Sequence, residues 1–318
     1  MLGVSRPWRF AVVALGAVAM SLPGPLRAGA DAAEPGRITT VVRDAGTGAP
    51  VAGVTVHAIA AGDRFADLWS ARAASEADGT VLFEGLTPGR YSFFIQPGDA
   101  AYGMQWLGVR GGAGDRDTAL EVTAPEEGVL ALPDVRLDPA GTVTGSLTEA
   151  ATGAPVTAQV SVASVDPLWR ETTPSVFGSG SFTFSGLGPY GWKLFVMPDG
   201  TAGPASRVAA QWSGGVPDRR RADRIPVVAG QTTVADQRLR AGTVVSGTAG
   251  AGPVYAFHAG TREILAVSDQ PDTGRYAVRL LPGQRAELSV GTSPQNAVAV
   301  RVGWRPLVVD LAEQISTR

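Results

Sequence analysis

The chain has 318 residues, a formal net charge of −2 and no cysteine, which excludes disulfides, thiolate nucleophiles, cysteine metal sites and a lipid-modified cysteine. Nothing in the overall charge calls for a polyanionic partner such as nucleic acid. With 41 Gly, 23 Pro and 44% hydrophobic residues, the composition favours short packed strands joined by many turns over long helices, and the length leaves room for two or three domains.

Residues 1–30 read as a secretory signal peptide. Arg6 and Arg9 form a basic start, "FAVVALGAVAMSL" (10–22) is apolar, and "LPGPLRAGADA" ends in two small-x-small sites that put the cut between Ala30 and Ala32. The apolar run is shorter than the roughly 20 residues a membrane span needs, although an uncleaved N-terminal anchor is the alternative. Arg6-Pro-Trp-Arg9 is not a twin-arginine signal, so the general export route is expected. Cleavage removes Arg6, Arg9 and Arg27 and no acid, taking the net charge from −2 to −5. No second apolar run follows, and "VVDLAEQISTR" at the C-terminus reads as neither a membrane tail nor a wall-sorting signal. The expected location is therefore extracellular, with no membrane contact after cleavage.

The next stretch, 38–140, alternates with period two. "RITTVV", "VTVHAI", "TVLFEGL" and "RYSFFI" are short β-branched and aromatic runs between Gly, Pro and Asp turns. In "GTGAPVAGVTV" (46–56), Gly48 permits a positive φ and Pro50 fixes its own near −65°, so this turn launches a strand. "DRFADLWSARAASEA" (63–77) reads as a loop plus strand rather than a helix, because the matching "DPLWRETTPSVF" carries Pro174. In "GLTPGRYSFFI" (85–95), Pro88 and Gly89 set a turn and Tyr91 enters a strand. There its ring packs inward and its hydroxyl reaches a backbone carbonyl, as in a tyrosine corner.

The same phrases return in order about 100 residues later. "ATGAPVTAQVSV" (151–162) echoes the first turn, and "GLGPYGWKLFV" (186–196) echoes the corner with Trp192 in place of tyrosine. "LRAGTVVSGT" (239–248) echoes "DPAGTVTGSL" (138–147), and "VAAQWSGGVPDRRR" (208–221) echoes "YGMQWLGVRGGAGDRD" (102–117). Repeats of this kind decide the architecture. The reading is all-β: three tandem Ig-like or prealbumin-like antiparallel sandwiches at 38–140, 141–241 and 242–318. The third is shorter and more degenerate. "LDPAGTV" and "LRAGTV" leave almost no spacer, so neighbours should be stiffly joined.

Taken together, "TGAPVAGVTVHA", "SEADGTVLFEGL" and "TPGRYSFFI" resemble the carboxypeptidase-regulatory-like domain, a prealbumin-like (CnaB-like) sandwich that recurs in tandem in secreted actinobacterial proteins. The resemblance is good over 38–140, fair over 141–241 and weak over 242–318. It implies a seven-stranded sandwich, an extracellular location and a binding, spacer or adhesion role without catalysis.

Residues capable of chemistry are few. His57 and His258 lie in strand-like runs, and neither is followed by a Glu three positions on, so the zinc spacing of a metallocarboxypeptidase is missing. A Ser-His-Asp triad is spatial and leaves no fixed spacing to find, but no Gly-x-Ser-x-Gly elbow stands out, and "FGSGSFTFSG" (177–186) reads as a hairpin. Related pilin-type sandwiches carry Lys–Asn isopeptide bonds. This chain has one Lys, Lys193, and one Asn, Asn296, in different units, so a Lys–Asn crosslink in every unit is excluded by counting. A Lys–Asp bond within the second unit has no supporting motif. Asn296-Ala-Val is also no glycosylation site.

The candidate binding residues are Trp106, Trp212, Trp69 and Trp169, which recur at matched places, with Trp304 as a third copy of the first two. Exposed indoles would offer platforms for sugar rings, whereas a ring repeated in each unit is more often packed. The mixed-charge runs "GDRD" (114–117) and "DRRRADR" (218–224) occupy matching places with opposite bias, which reads as a tolerant, solvated loop. "EADG" (76–79) and "PDTG" (271–274) have too few carboxylates for a firm calcium site.

The expectation is a secreted, non-catalytic binding, adhesion or spacer protein that needs no metal or cofactor. Its partner would be an unknown extracellular protein or polysaccharide. Such a protein should have no deep polar pocket and no cluster of perturbed titratable groups. The alternatives are an array of carbohydrate-binding modules using the tryptophans and, less favoured, a transthyretin-like hydrolase with a convergent polar cleft.

Overall fold

The computed structural model describes residues 36–60, 71–162, 175–199, 207–250, 252–268, 274–291 and 297–311. The signal-peptide reading, Trp69, Trp169 and residues 271–273 of the "PDTG" turn lie outside the described residues. Among the described residues the regular structure is nearly all strand. No helix among them is long and apolar enough to cross a membrane.

The strands fall into three sequential sets whose sheets share no strand. The first holds β1 (Arg37–Asp44), β2 (Thr55–Ala60), β3 (Ala71–Ala74), β4 (Thr80–Glu84) and β5 (Arg90–Gln96). It continues with β6 (Gln105–Gly108), β7 (Gly111–Ala113), β8 (Glu121–Thr123), β9 (Val129–Ala131) and β10 (Val135–Leu137). One sheet orders β10-β1-β4 with β9 also on β1, and the other orders β3-β2-β5-β6-β7 with β8 on β5. Strict alternation along β1 turns Ile38, Thr40 and Val42 inward. Between the sheets Ile38 and Val42 meet Val56, Phe83, Phe93 and Ile95 in one apolar core.

The second set repeats this plan. It comprises β11 (Gly141–Glu149), β12 (Thr157–Ser161), β13 (Ser175–Ser179), β14 (Ser181–Leu187) and β15 (Gly191–Trp192). It ends with β16 (Phe195–Pro198), β17 (Gln211–Trp212), β18 (Ile225–Pro226), β19 (Thr232–Val234) and β20 (Gln237–Leu239). Its sheets order β14-β11-β19, with β20 on β11, and β13-β12-β16-β17, with a β15-β18 pair beside them. The third set holds β21 (Thr243–Thr248), β22 (Val254–His258), β23 (Ile264–Val267) and β24 (Arg275–Leu280). Then come β25 (Arg285–Val290), β26 (Val298–Arg301) and β27 (Leu307–Val308), in sheets ordered β24-β21-β27 and β23-β22-β25-β26.

The sandwiches are antiparallel except where first and last strands meet. β1 pairs in parallel with β9 and β10, β11 with β19 and β20, and β21 with β27. In the second set the closing strand breaks at Ala235-Asp236, and Asp236 Oδ1 accepts from the N–H and hydroxyl of Ser146, both at 2.8 Å. Asp310 does the same for Thr248 at 2.9 Å. The opening-strand glycines make room for these breaks. A Cβ on Gly145 would lie 2.3 Å from the Ala235 carbonyl oxygen, and one on Gly247 would lie 1.9 Å from that of Val309.

The turn and the corner repeat as well. Gly48 and Gly153 adopt φ of 74° and 73°, and Pro50 and Pro155 bridge back to Arg43 and Thr148. Tyr91 donates its hydroxyl to the Thr87 carbonyl at 2.7 Å, and Trp192 donates its indole N–H to the Gly188 carbonyl at 2.8 Å, each four residues back. The linking segment at each junction is tied twice to a loop of the set before it. Gly103 N donates to Asp138 O and Ala140 N to Ala101 O, both at 2.9 Å; Ala209 N donates to Arg240 O at 3.2 Å and Gly242 N to Arg207 O at 2.9 Å.

Candidate functional site

The loops that follow Trp106 and Trp212 each make a single 3-10 turn. Asp115 caps Arg116–Thr118 by accepting from Asp117 N at 3.1 Å, and Asp218 caps Arg219–Arg221 by accepting from Arg220 N at 3.0 Å. The two turns are structural equivalents that place opposite charges against each other. Arg219 Nη1 lies 2.9 Å from Asp115 Oδ1, and its Nη2 lies 2.8 Å from Asp117 Oδ1. From the same guanidinium, Nε reaches Glu263 Oε1 at 2.6 Å. Lys193 Nζ sits 2.6 Å from Asp115 Oδ2, and Arg224 adds a contact to that oxygen at 3.3 Å.

One cluster thus joins all three strand sets: Asp115 and Asp117 come from the first, Lys193, Arg219 and Arg224 from the second, and Glu263 from the third. It is largely withdrawn from water, with side-chain exposures of 3% for Asp115, 6% for Lys193, 12% for Arg219 and 9% for Glu263. Burial alone would raise the Asp115 pKa. The hydrogen bonds from Lys193 and the Asp117 N–H, with the charges of Lys193 and Arg219, outweigh it and hold Asp115 below its ordinary value. Burial likewise works against Arg219, but the charges of Glu263 and Asp117 prevail and raise its pKa.

Two expectations are corrected here. The charged loops are not tolerant and solvated: their opposite bias arises because they bind each other. A cluster of perturbed titratable groups is also present. The lone lysine meets a carboxylate of the first set, not one of its own. Amide formation between them would require a neutral amine and a protonated carboxyl, and the neighbouring guanidiniums favour the ionised carboxylate instead.

The tryptophans are packed around this cluster. Trp106 and Trp212 are each 1% exposed, so neither presents a ring face to solvent, and the surface-platform reading fails for both. Trp106 packs edge-on to Phe94 at 5.1 Å, and Trp212 packs on Phe195 at 5.0 Å. With Ile59 and Phe94, Trp106 belongs to a core completed by Val143, Trp192 and Val196 of the second set, so it is part of the packing between sets. Arg116 lies 5.8 Å above the Trp106 ring while donating to the Ala60 carbonyl at 2.9 Å. Trp304 is not a third copy. It follows β26 instead of lying on it, and it is 81% exposed.

Close backbone approach completes the first junction. Tyr190 lies against Gly112, and its one hydroxyl proton is shared between Asp138 Oδ2 at 2.5 Å and Gln105 Oε1 at 2.9 Å. Burial and the Asp138 contact raise its pKa. Beside the charge cluster, a cavity of about 10 Å³ is bounded by Trp106, Asp115, Lys193, Trp212 and Arg219, too small for any organic ligand. A wider, open groove of about 580 Å³ with a mixed polar and apolar lining lies within the second set between Trp212–Gly215, Asp223–Pro226 and Thr233–Leu239.

The histidines serve local structure. His258 Nδ1 accepts from Thr261 N at 3.0 Å and closes its turn. His57 is buried beside Gln96, and burial lowers its pKa, against the bond to Gln96 and with the charge of Arg72. Among the described residues, no group of three or more His, Asp or Glu is placed to hold a metal ion.

No protein-family model matches the chain, and no curated protein matches it. Solved structures similar to it include the Bacillus anthracis TIE protein (10% identity, TM-score 0.23, 87% of this chain and 50% of that one). A streptococcal ancillary pilin gives 13% identity and a TM-score of 0.27, with 65% of this chain and 62% of the other covered. The major pilin subunit of Bacillus cereus gives 9% and 0.22, with 87% and 98% covered. The chain therefore spans only half of the first of these and under two thirds of the second. The likeness is a coarse β-sandwich one.

Proposed function

We propose that this chain is a secreted, non-catalytic spacer or adhesion protein made of three β-sandwich domains, at 38–140, 141–241 and 242–318, held in one fixed arrangement. The observation that carries this reading is Arg219, whose single guanidinium bonds carboxylates of both flanking strand sets. A buried ion cluster adds little net stability, because desolvation offsets the attraction; what it adds is registration, since any other arrangement leaves buried charges unpaired. Tandem sandwiches that merely hang from one another have no use for this. A protein that must hold surface loops at a set distance does.

The absence of cysteine allows a direct test. Spin labels on Glu127→Cys and Arg275→Cys report the spacing between first and third sets. A narrow distance distribution that broadens in Arg219→Met supports the reading. A broad distribution in the otherwise unaltered chain, or a width indifferent to Arg219→Met, overturns it.

A further inference from the structure

We infer that the third strand set carries a binding surface for an anionic polysaccharide, built from Trp304, Arg285, Arg301 and Arg305. The inference is independent of the fixed arrangement proposed above. Arg285 and Arg301 are directly opposite each other on β25 and β26, and both are exposed. Like charges so placed repel, and a stable sheet normally avoids the pairing. Elsewhere this chain pairs or relieves such charges: Arg37 faces Glu84 across β1 and β4 and pairs with it at 3.1 Å, and Arg43, which faces Arg136 across β1 and β10, is bonded to Asp134 at 2.9 Å.

The third set has no carboxylate left to relieve the pair among its described residues. Glu263 is bonded to Arg219, Glu287 to Arg262, and Asp310 to the N–H and hydroxyl of Thr248. The guanidiniums of Arg285, Arg301 and Arg305 make no ion pair or hydrogen bond among the described residues, on a chain whose net charge is negative. Three residues past Arg301, no more than about 11 Å along the backbone, stands Trp304, 81% exposed. It is followed by exposed Arg305. No cation covers the indole, since the one cation–π contact among the described residues is Arg116 on Trp106.

The chain thus places an exposed indole within a few residues of Arg301 and Arg305, and of Arg285 opposite Arg301, three arginines with no charge partner among the described residues. A sugar ring fits the indole, and carboxylate, sulfate or phosphate substituents fit the guanidiniums, which bind such groups in a planar, two-pronged manner. A bilayer fits less well. Gly303, Arg305 and Pro306 flank the indole, and the next exposed large apolar side chain along the chain is Val308, so the apolar area available for insertion is small.

Affinity electrophoresis of the mature full-length chain tests the inference, with polygalacturonate or uncharged dextran in the gel. Retardation by polygalacturonate alone is expected. Trp304→Ala and the pair Arg285→Gln/Arg301→Gln should each weaken it about tenfold. All four sites are exposed, so no variant should melt lower, and Arg285→Gln/Arg301→Gln should melt slightly higher because the cross-strand repulsion is gone. No retardation by polygalacturonate, or retardation indifferent to these substitutions, overturns the inference. So does binding to phosphatidylglycerol vesicles with none to the polymer, which would assign the surface to a membrane.

Discussion

Lys193 Nζ lies 2.6 Å from Asp115 Oδ2, joining the second strand set to the first at a point where both side chains are almost wholly buried. Asp115 is the centre of the cluster, because Arg219 and Arg224 also contact it. Removing it with Asp115→Ala strands the lysine, whose next carboxylate, Asp117, is 3.8 Å away. A loss of about 3–5 kcal/mol in urea denaturation is expected. Asp115→Ala/Lys193→Met, which removes both charges, should recover a large part of it. Lys193 is the only lysine, so acylation followed by mass spectrometry reports its release without ambiguity: protected in the parent chain, modified in Asp115→Ala.

Acid should open the same junction, but only strong acid. The folded-state pKa of Asp115 lies below its ordinary value of 3.8. A depressed carboxylate contributes stability that is fully present above the unfolded pKa and is lost as pH falls through the folded one. From neutrality down to about pH 5, where the unfolded carboxylate is still ionised, the contribution should stay constant. Below 3.8 it should fade. Urea midpoints of the parent chain and Asp115→Asn, measured from pH 7 to pH 2.5, should converge at the acid end. A constant gap would mean that protonation of Asp115 is not involved.

The repeats, the positive-φ turns and the corner were legible because each is local: a Gly, a Pro and a ring within a dozen residues determine it. Tyr91 and Thr87 are four residues apart, and the sequence places that bond almost unaided. The charge cluster was not legible, because Arg219 meets Asp117 across 102 residues and Asp115 across 104. A signal was nevertheless present. Two equivalent loops in neighbouring repeats carried opposite charge, which is what loops that bind each other require. The parallel pairing of opening and closing strands was hidden for a related reason: it depends on where the chain returns after a full sandwich, not on any run of residues.

The corner can be tested in both forms. Tyr91→Phe removes only the hydroxyl bond to Thr87 and should cost about 1 kcal/mol. Trp192→Phe removes the bond to Gly188 and also opens space at a site with 0% exposure, inside the core shared by the first two sets. Its cost should be larger, about 2–4 kcal/mol. Equal costs would show that the indole ring adds nothing beyond its N–H.

Gly112 makes the sharpest prediction about the first junction. A Cβ there would fall 1.8 Å from the Tyr190 hydroxyl oxygen and 2.7 Å from Gln105 Oε1, so Gly112→Ala must drive Tyr190 off both Gln105 and Asp138. The cost should be about 1–3 kcal/mol, as for other overpacked sites. Tyr190→Ala on top of Gly112→Ala removes the contact with the ring and leaves only that with the end of the Gln105 side chain, so the double variant should be little worse than Tyr190→Ala alone. The damage should also be local. Hydrogen exchange should quicken at Gly188 N, which donates to Met104 O at 3.0 Å across this junction, and stay unchanged at Val302 N, which donates to Gln284 O at 3.0 Å within the third set. Equal acceleration at both sites would mean that the junction transmits strain through the whole chain instead of absorbing it.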